Sequence, residues 1–235
     1  MAGKKVKRPV RSRLAAVFYW GLVASVWAGI GLAGLIFYYA LDMPDTQGLW
    51  SVSRNPEVRL YARDDTSLSR RGRNTGAPLR FADLPPDLVQ AVVAIEDRRF
   101  FSHYGLDPRG LARAMLANVR AGRFVQGGST LTQQLAKNVF LTPDRTFKRK
   151  VQELLLAFWM EARLSKQEIM ALYFNRVYFG AGAYGVQAAA QTYFDRPAQE
   201  LTLGEAAVLA GLLKAPTRYA PTRDPQAAFA RARLV

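Results

Sequence analysis

QGGSTLTQQLAKN, residues 126–138, reads as the opening of a helix. Ser129 and Thr130 are residue types that cap helix starts. Gly127 and Gly128 allow the backbone a close approach to a neighbour. The first turn of a helix leaves N–H groups unpaired, and its dipole favours negative charge, so such a start suits an anion. An amide pair, Gln133–Gln134, follows one turn in, and Lys137 adds a cation a turn beyond it. The stretch predicts a helix start that handles an anion, and its surroundings have to say which.

Upstream, PPDLVQAVVAIEDRRFFSHYGLD (85–107) carries Leu88, Val89, Val92, Val93 and Ile95 as the buried stripe of a helix. Glu96 falls on that stripe. An ionised carboxylate on an apolar face must be paired, be protonated or face a cleft. A base in a cleft and a structural Glu bound to a nearby arginine are both compatible with the spacing. His103, the one histidine, reads as a hydrogen-bonded structural residue rather than a catalyst.

Downstream, DRTFKRKVQELLLAFWMEARL (144–164) predicts a helix with Val151, Leu154, Leu155 and Phe158 as its apolar stripe. Arg149 and Glu153 are four residues apart and can face each other, which on its own is an ordinary ion pair. Arg145, Lys148, Arg149 and Lys150 nevertheless crowd the helix start, where the dipole disfavours cations. A bound anion would account for them.

The remaining chain continues helical. Asp107-Pro108 is an N-cap followed by proline at the first helical position, with Gly122 closing that helix. Ser165…Glu168 and Thr202…Glu205 have capping-box spacing. FGAGAYGVQAAAQTYF, between them, offers small residues for close helix approach. Few segments read as strands, so the body is expected to be mostly α.

The N-terminus sets the compartment. Residues 1–13 hold six basic side chains and no acid, and residues 14–41 hold no charge at all. Those 28 residues exceed the roughly 20 that a helix needs to cross a bilayer. Tyr19 and Tyr38 lie 19 residues apart, about 29 Å along a helix, as two interfacial aromatic belts would. A cleaved signal peptide would have a shorter apolar run. The chain is therefore divided into a cytoplasmic basic tail (1–13), a transmembrane helix (14–41), a linker or stalk with a short hairpin (42–84) and a helical domain (85–235). The expected location is the cell (inner) membrane, single-pass, with the N-terminus cytoplasmic and the domain extracytoplasmic or periplasmic.

The net charge of +15 comes from 33 basic and 18 acidic residues; without the tail it is +9. Nucleic acid fits poorly, because the topology is extracytoplasmic and the aromatics are interleaved with aliphatics. An anionic, lipid-linked substrate fits better. The absence of cysteine excludes disulfides and thiolate metal sites, and one histidine excludes a multi-histidine metal centre.

EDRRFFSHYG (96–105), GGSTLTQQLAKN (127–138), RKVQE (149–153), LYFNRVYFGAGAYGVQAAAQTYF (172–194) and LTLGEAAVLAGLLKAPTRYAP (201–221) stand here in the order and spacing of one family. Over about residues 80–235 the chain resembles the peptidoglycan glycosyltransferase domain (family 51) of class A penicillin-binding proteins and monofunctional glycosyltransferases. The resemblance implies a lysozyme-like helical fold with a smaller membrane-associated jaw. It implies polymerisation of lipid II into β-1,4-linked glycan strands, with inversion at MurNAc C1 and release of undecaprenyl pyrophosphate. The anion would then be the departing pyrophosphate.

By the same resemblance Glu96 is the general base, and Glu153 is the second glutamate, beside the donor pyrophosphate. The positions matching substrate contacts are Asp97, Phe100, Arg113, Ser129, Gln133, Gln134, Lys137, Arg145, Arg149 and Lys150. No cofactor is required; Mg2+ or Mn2+ is conceivable, with Asp97 as its partner. The implied partners are lipid II, the growing glycan strand, membrane lipid and other cell-wall synthesis proteins. No Ser-x-x-Lys motif occurs, so these residues are not expected to bind β-lactams, although residues 42–84 favour a bifunctional parent. A lytic enzyme that cleaves existing glycan is the alternative, and it would not need the cation cluster. A silent lipid-binding scaffold would not need the Glu96/Glu153 pair.

Overall fold

The computed structural model describes residues 10–41, 58–64, 67–71, 74–141 and 146–235. The chain divides into two compact units, residues 1–43 and 44–235. The first is helix α1 (Val10–Ala40), which begins four residues before the predicted span. Its stretch Ala15–Ala40 is long and apolar enough to cross a membrane.

The second unit is mostly helical, as the sequence leads one to expect. It opens with an antiparallel hairpin, β1 (Val58–Tyr61) and β2 (Ser67–Arg71), whose register shifts between Leu60 and Tyr61. Residues 74–84, read above as linker, are built into the domain. The Asn175 side chain accepts from the Leu79 backbone N–H at 2.9 Å and donates to the Leu79 carbonyl at 2.8 Å. A side-chain amide thus satisfies both backbone groups of Leu79, as a neighbouring strand would. Leu79 and Leu84 are buried there.

Among the described residues nine α-helices follow, beginning with α2 (Pro86–Glu96), α3 (Pro108–Ala121), α4 (Leu131–Phe140), α5 (Phe147–Arg163) and α6 (Lys166–Arg176). A short hairpin, β3 (Tyr178–Gly180) with β4 (Ala183–Tyr184), leads into α7 (Val186–Phe194), α8 (Leu203–Leu212), α9 (Pro216–Tyr219) and α10 (Pro225–Ala232). Both predicted capping boxes form, at Ser165/Glu168 and Thr202/Glu205. Gly122 ends α3 with φ 60°, the left-handed cap conformation.

α4 packs on both α5 and α6, while α2 and α10 pack on α8. Leu131 and Leu135 of α4, Leu156 and Met160 of α5, and Ile169, Tyr173 and Phe174 of α6 are fully buried. Each buried aliphatic side chain of this size contributes about 1.5–3 kcal/mol. α8 is buried almost all round, which its run AAVLAGL permits.

The buried face of α5 is not the predicted one. Gln152, Glu153, Leu156, Ala157, Met160 and Glu161 face inward, and Phe158 is exposed, its ring stacked near that of Tyr104. The inward face follows the position of α4, which presents polar groups that hydrogen-bond α5's polar side chains. Apolarity alone therefore pointed to the wrong stripe. α3 shows the converse: Met115, Val119 and, just beyond it, Phe124 are 60%, 78% and 81% exposed. They lie among Arg109, Arg113, Arg120 and Arg123.

Candidate active site

Glu96 ends α2 half-buried, and its Oε2 accepts a hydrogen bond from Gln134 Nε2 at 2.9 Å. Among the described residues its Oε1 takes no hydrogen bond. Glu96, Asp97, Arg98, Asp107 and Arg113 line one groove together with residues 126–130. Arg113 is exposed there.

The opening of α4 is capped by Thr130, whose Oγ1 accepts from the Gln133 backbone N–H at 3.2 Å. The anion at this helix start is the protein's own. Asp97, 7% exposed, accepts from the Leu131 N–H at 3.0 Å and from His103 Nε2 at 3.0 Å on both of its oxygens. A buried carboxylate is well placed against the positive end of a helix dipole. Asp97 is thus a clamp between the α2 end and the α4 start, at the edge of the groove. With both oxygens engaged, it also does not fit as a metal ligand. Among the described residues no group of three or more His, Asp or Glu side chains is placed to hold a metal. His103 takes the structural role the sequence suggested.

Gly128 explains the double glycine. A Cβ there would come within 2.7 Å of Leu111 Cδ1 and 3.4 Å of Leu111 Cα, so this glycine lets the loop lie against α3. Gly127 faces open space.

Across α4, Glu153 is almost fully buried and bonded to two cations of its own helix, Arg149 through a guanidinium nitrogen and Lys150 through Nζ at 2.9 Å. Lys150 Nζ also donates to Ser129 Oγ at 2.9 Å and to Gln133 Oε1 at 3.3 Å. The amide pair thereby looks both ways: Gln134 holds Glu96, and Gln133 holds Lys150 of the Glu153 cluster. Gln133 is 3% exposed and also donates to the Gly105 carbonyl, so it is an internal brace. Phe100 is fully buried, with Lys166 Nζ 4.5 Å from its ring centroid, and belongs to the core instead of the groove. Lys137 is exposed on α4. Arg145 lies outside the described residues.

Two buried residues escaped the sequence reading. Glu161 accepts from Thr132 Oγ1 at 2.6 Å and Lys166 Nζ at 2.7 Å. Its place two turns after Glu153 on one helix face was the available signal. Tyr173 is the other, and it donates to Gln134 Oε1 at 3.3 Å. Burial, with the Glu96 charge second, pushes its phenol well above the ordinary tyrosine range. A roomier groove of about 600 Å³ between residues 79–82 and α6 has Glu168 as its one acid, bonded through Oε2 to the Ser165 hydroxyl.

The family model described as Transglycosylase matches residues 64–235. The chain belongs to the transglycosylase family. It is 40% identical over 210 residues to penicillin-binding protein 1A of Pseudomonas aeruginosa, covering 88% of this chain and 26% of that protein. It is 43% identical over 224 residues to the protein of the same name from Aquifex aeolicus, covering 92% and 29%. With that of Escherichia coli (strain K12) the identity is 41% over 214 residues, covering 91% and 25%. The chain spans about a quarter of the length of these relatives. A solved structure of penicillin-binding protein 1A from Haemophilus influenzae aligns with a TM-score of 0.44 at 24% identity, over 78% of this chain and 18% of its own. The match begins at residue 64, so it takes in β2 (Ser67–Arg71) as well as the helices α2 to α10.

Proposed function

We propose that this transglycosylase domain is a peptidoglycan glycosyltransferase that joins lipid II units into β-1,4-linked glycan. Glu96 Oε1 takes the proton from the GlcNAc 4-hydroxyl of the acceptor. The freed oxygen attacks C1 of the MurNAc at the reducing end of the growing strand. The C1–O bond to pyrophosphate breaks, undecaprenyl pyrophosphate leaves with the bonding pair, and the configuration at C1 inverts. A pyrophosphate leaves readily once its charge is neutralised, so no carboxylic acid has to protonate it, in contrast to glycoside hydrolysis. Arg113, Lys137, Arg149 and Lys150 are the cations assigned to that charge, and Arg145 is assigned with them from the sequence. Glu153 sets the geometry of Arg149 and Lys150. Mg2+ or Mn2+, where it helps, would arrive with the pyrophosphate, because Asp97 is engaged elsewhere.

The observation that carries this reading is the arrangement about α4: one carboxylate with a free oxygen on one side and a carboxylate saturated by cations on the other. The exposed apolar side chains Met115, Val119 and Phe124, set among arginines, suit a surface that sits in the outer membrane leaflet, where a lipid-linked substrate is held. The basic residues among positions 4–13, ahead of the uncharged run that starts at Leu14, favour a cytoplasmic N-terminus and a periplasmic domain. Purified protein in detergent with lipid II should yield glycan polymer on a gel, and soluble muropeptides released from isolated walls instead would reverse the assignment to a lytic enzyme.

A further inference from the structure

We propose that Tyr173 is a positioning residue for the general base: its O–H fixes the Gln134 amide so that Nε2 is always turned to Glu96. This deepens the lipid II reading above and rests on it. An ionised carboxylate only accepts hydrogen bonds, so the Gln134 group 2.9 Å from Glu96 Oε2 must be the amide N–H. The amide oxygen therefore faces away, and the group it meets must donate. Tyr173 O–H, 1% exposed in the middle of α6, is that donor. The raised phenol keeps its proton throughout the working pH range, so the donor is never lost.

The consequence falls on Glu96. Tyr173 restrains the amide, the amide occupies Oε2, and Oε1 is left as the oxygen that meets the acceptor hydroxyl. The titratable and charged groups sharing the groove with Glu96 are Asp97, Arg98, Asp107 and Arg113; Tyr173 reaches it from behind through Gln134. None of the four makes a hydrogen bond to Gln134 among the described residues. Removing the phenol hydroxyl leaves the amide free to rotate, weakens its bond to the carboxylate, and makes that carboxylate easier to protonate.

The experiment compares wild type, Tyr173→Phe, Gln134→Leu and the double variant for lipid II polymerisation across pH. Tyr173→Phe should lower kcat about tenfold with KM for lipid II unchanged. The acid limb of kcat/KM should move to higher pH. A purely structural tyrosine would lower thermal stability or the active fraction without moving that limb. Gln134→Leu should move the limb in the same direction, and the double variant should move it no further than Gln134→Leu alone. If Tyr173→Phe does not fold, the limb of Gln134→Leu decides. An unmoved limb, or additive shifts in the double variant, overturns the positioning role while polymer from the wild type leaves the function standing. No polymer from the wild type overturns both.

Discussion

Glu96 and Glu153 flank α4, whereas Glu168 and Glu205 sit at the starts of α6 and α8. The same side chain does different work in the two regions, and the donors around it decide which. At the helix starts each carboxylate accepts the backbone N–H and the hydroxyl of its cap residue, Ser165 or Thr202, at 2.8–2.9 Å. Those bonds all fall on Oε2 and tie each glutamate to its own helix start. Around α4 the donors are unequal: Glu153 has two cations, and Glu96 has one neutral amide. A carboxylate held by one neutral donor keeps an oxygen for a ligand's hydroxyl, and one bonded to two cations is committed to them.

Glu96→Gln breaks the comparison most severely. It should cut polymer formation by roughly 100-fold or more while leaving the melting temperature close to that of the wild type. Polymer formation within a fewfold of wild type would remove Glu96 from the role of base.

Glu153→Gln sharpens the contrast. Arg149 and Lys150 lose their charged partner, and Lys150 loses the anchor that directs it to Ser129. We expect roughly a tenfold fall in kcat and a stability loss of about 1–3 kcal/mol. The pH–rate profile should keep its acid limb, because in the proposed reaction Glu153 exchanges no proton with the substrate. Loss of that limb in Glu153→Gln would make Glu153 a base as well.

The apolar face of α3 tests the region outside both. Val119→Asp together with Phe124→Asp should reduce flotation with anionic liposomes and slow polymerisation on membranes severalfold, leaving turnover in detergent nearly unchanged. Equal losses in both media would make these side chains part of the fold.

What was legible in the sequence followed from local rules. The two capping boxes, the proline start at Pro108, the Gly122 stop and the apolar run of α1 each depend on neighbours within four residues, and the structure has them; the Asp107 side chain makes no cap bond. Glu96 was legible because it broke an apolar pattern. The orientation of α5 was not, since its inward face is chosen by Thr132, Gln133 and Ser129 on another segment. The hydrogen bonds of Asp97 were not legible for the same reason: its partners, Leu131 N–H and His103, are 34 and 6 residues away. Phe100 sits in an exposed-looking run of charges, and only the Lys166 contact and full burial place it in the core. Long-range polar pairing is the part of this domain that periodicity does not encode.

The smallest effects belong to the capping glutamates. Ser165→Ala should cost about 1 kcal/mol, or about 2–4 °C in melting temperature, with polymerisation unchanged. Glu168→Gln then isolates the charge. The Ser165 backbone N–H, then its hydroxyl, hold the Glu168 carboxyl below its ordinary range, so ionised Glu168 stabilises the folded state. That contribution is present above the carboxyl's unfolded value and is lost as pH falls through the lower folded one. The melting-temperature gap between wild type and Glu168→Gln should therefore close on acidification from about pH 6 to about pH 3. A gap that stays constant over that interval would show that the cap works through its hydroxyl alone, and that the contrast with Glu96 is one of geometry and not of charge.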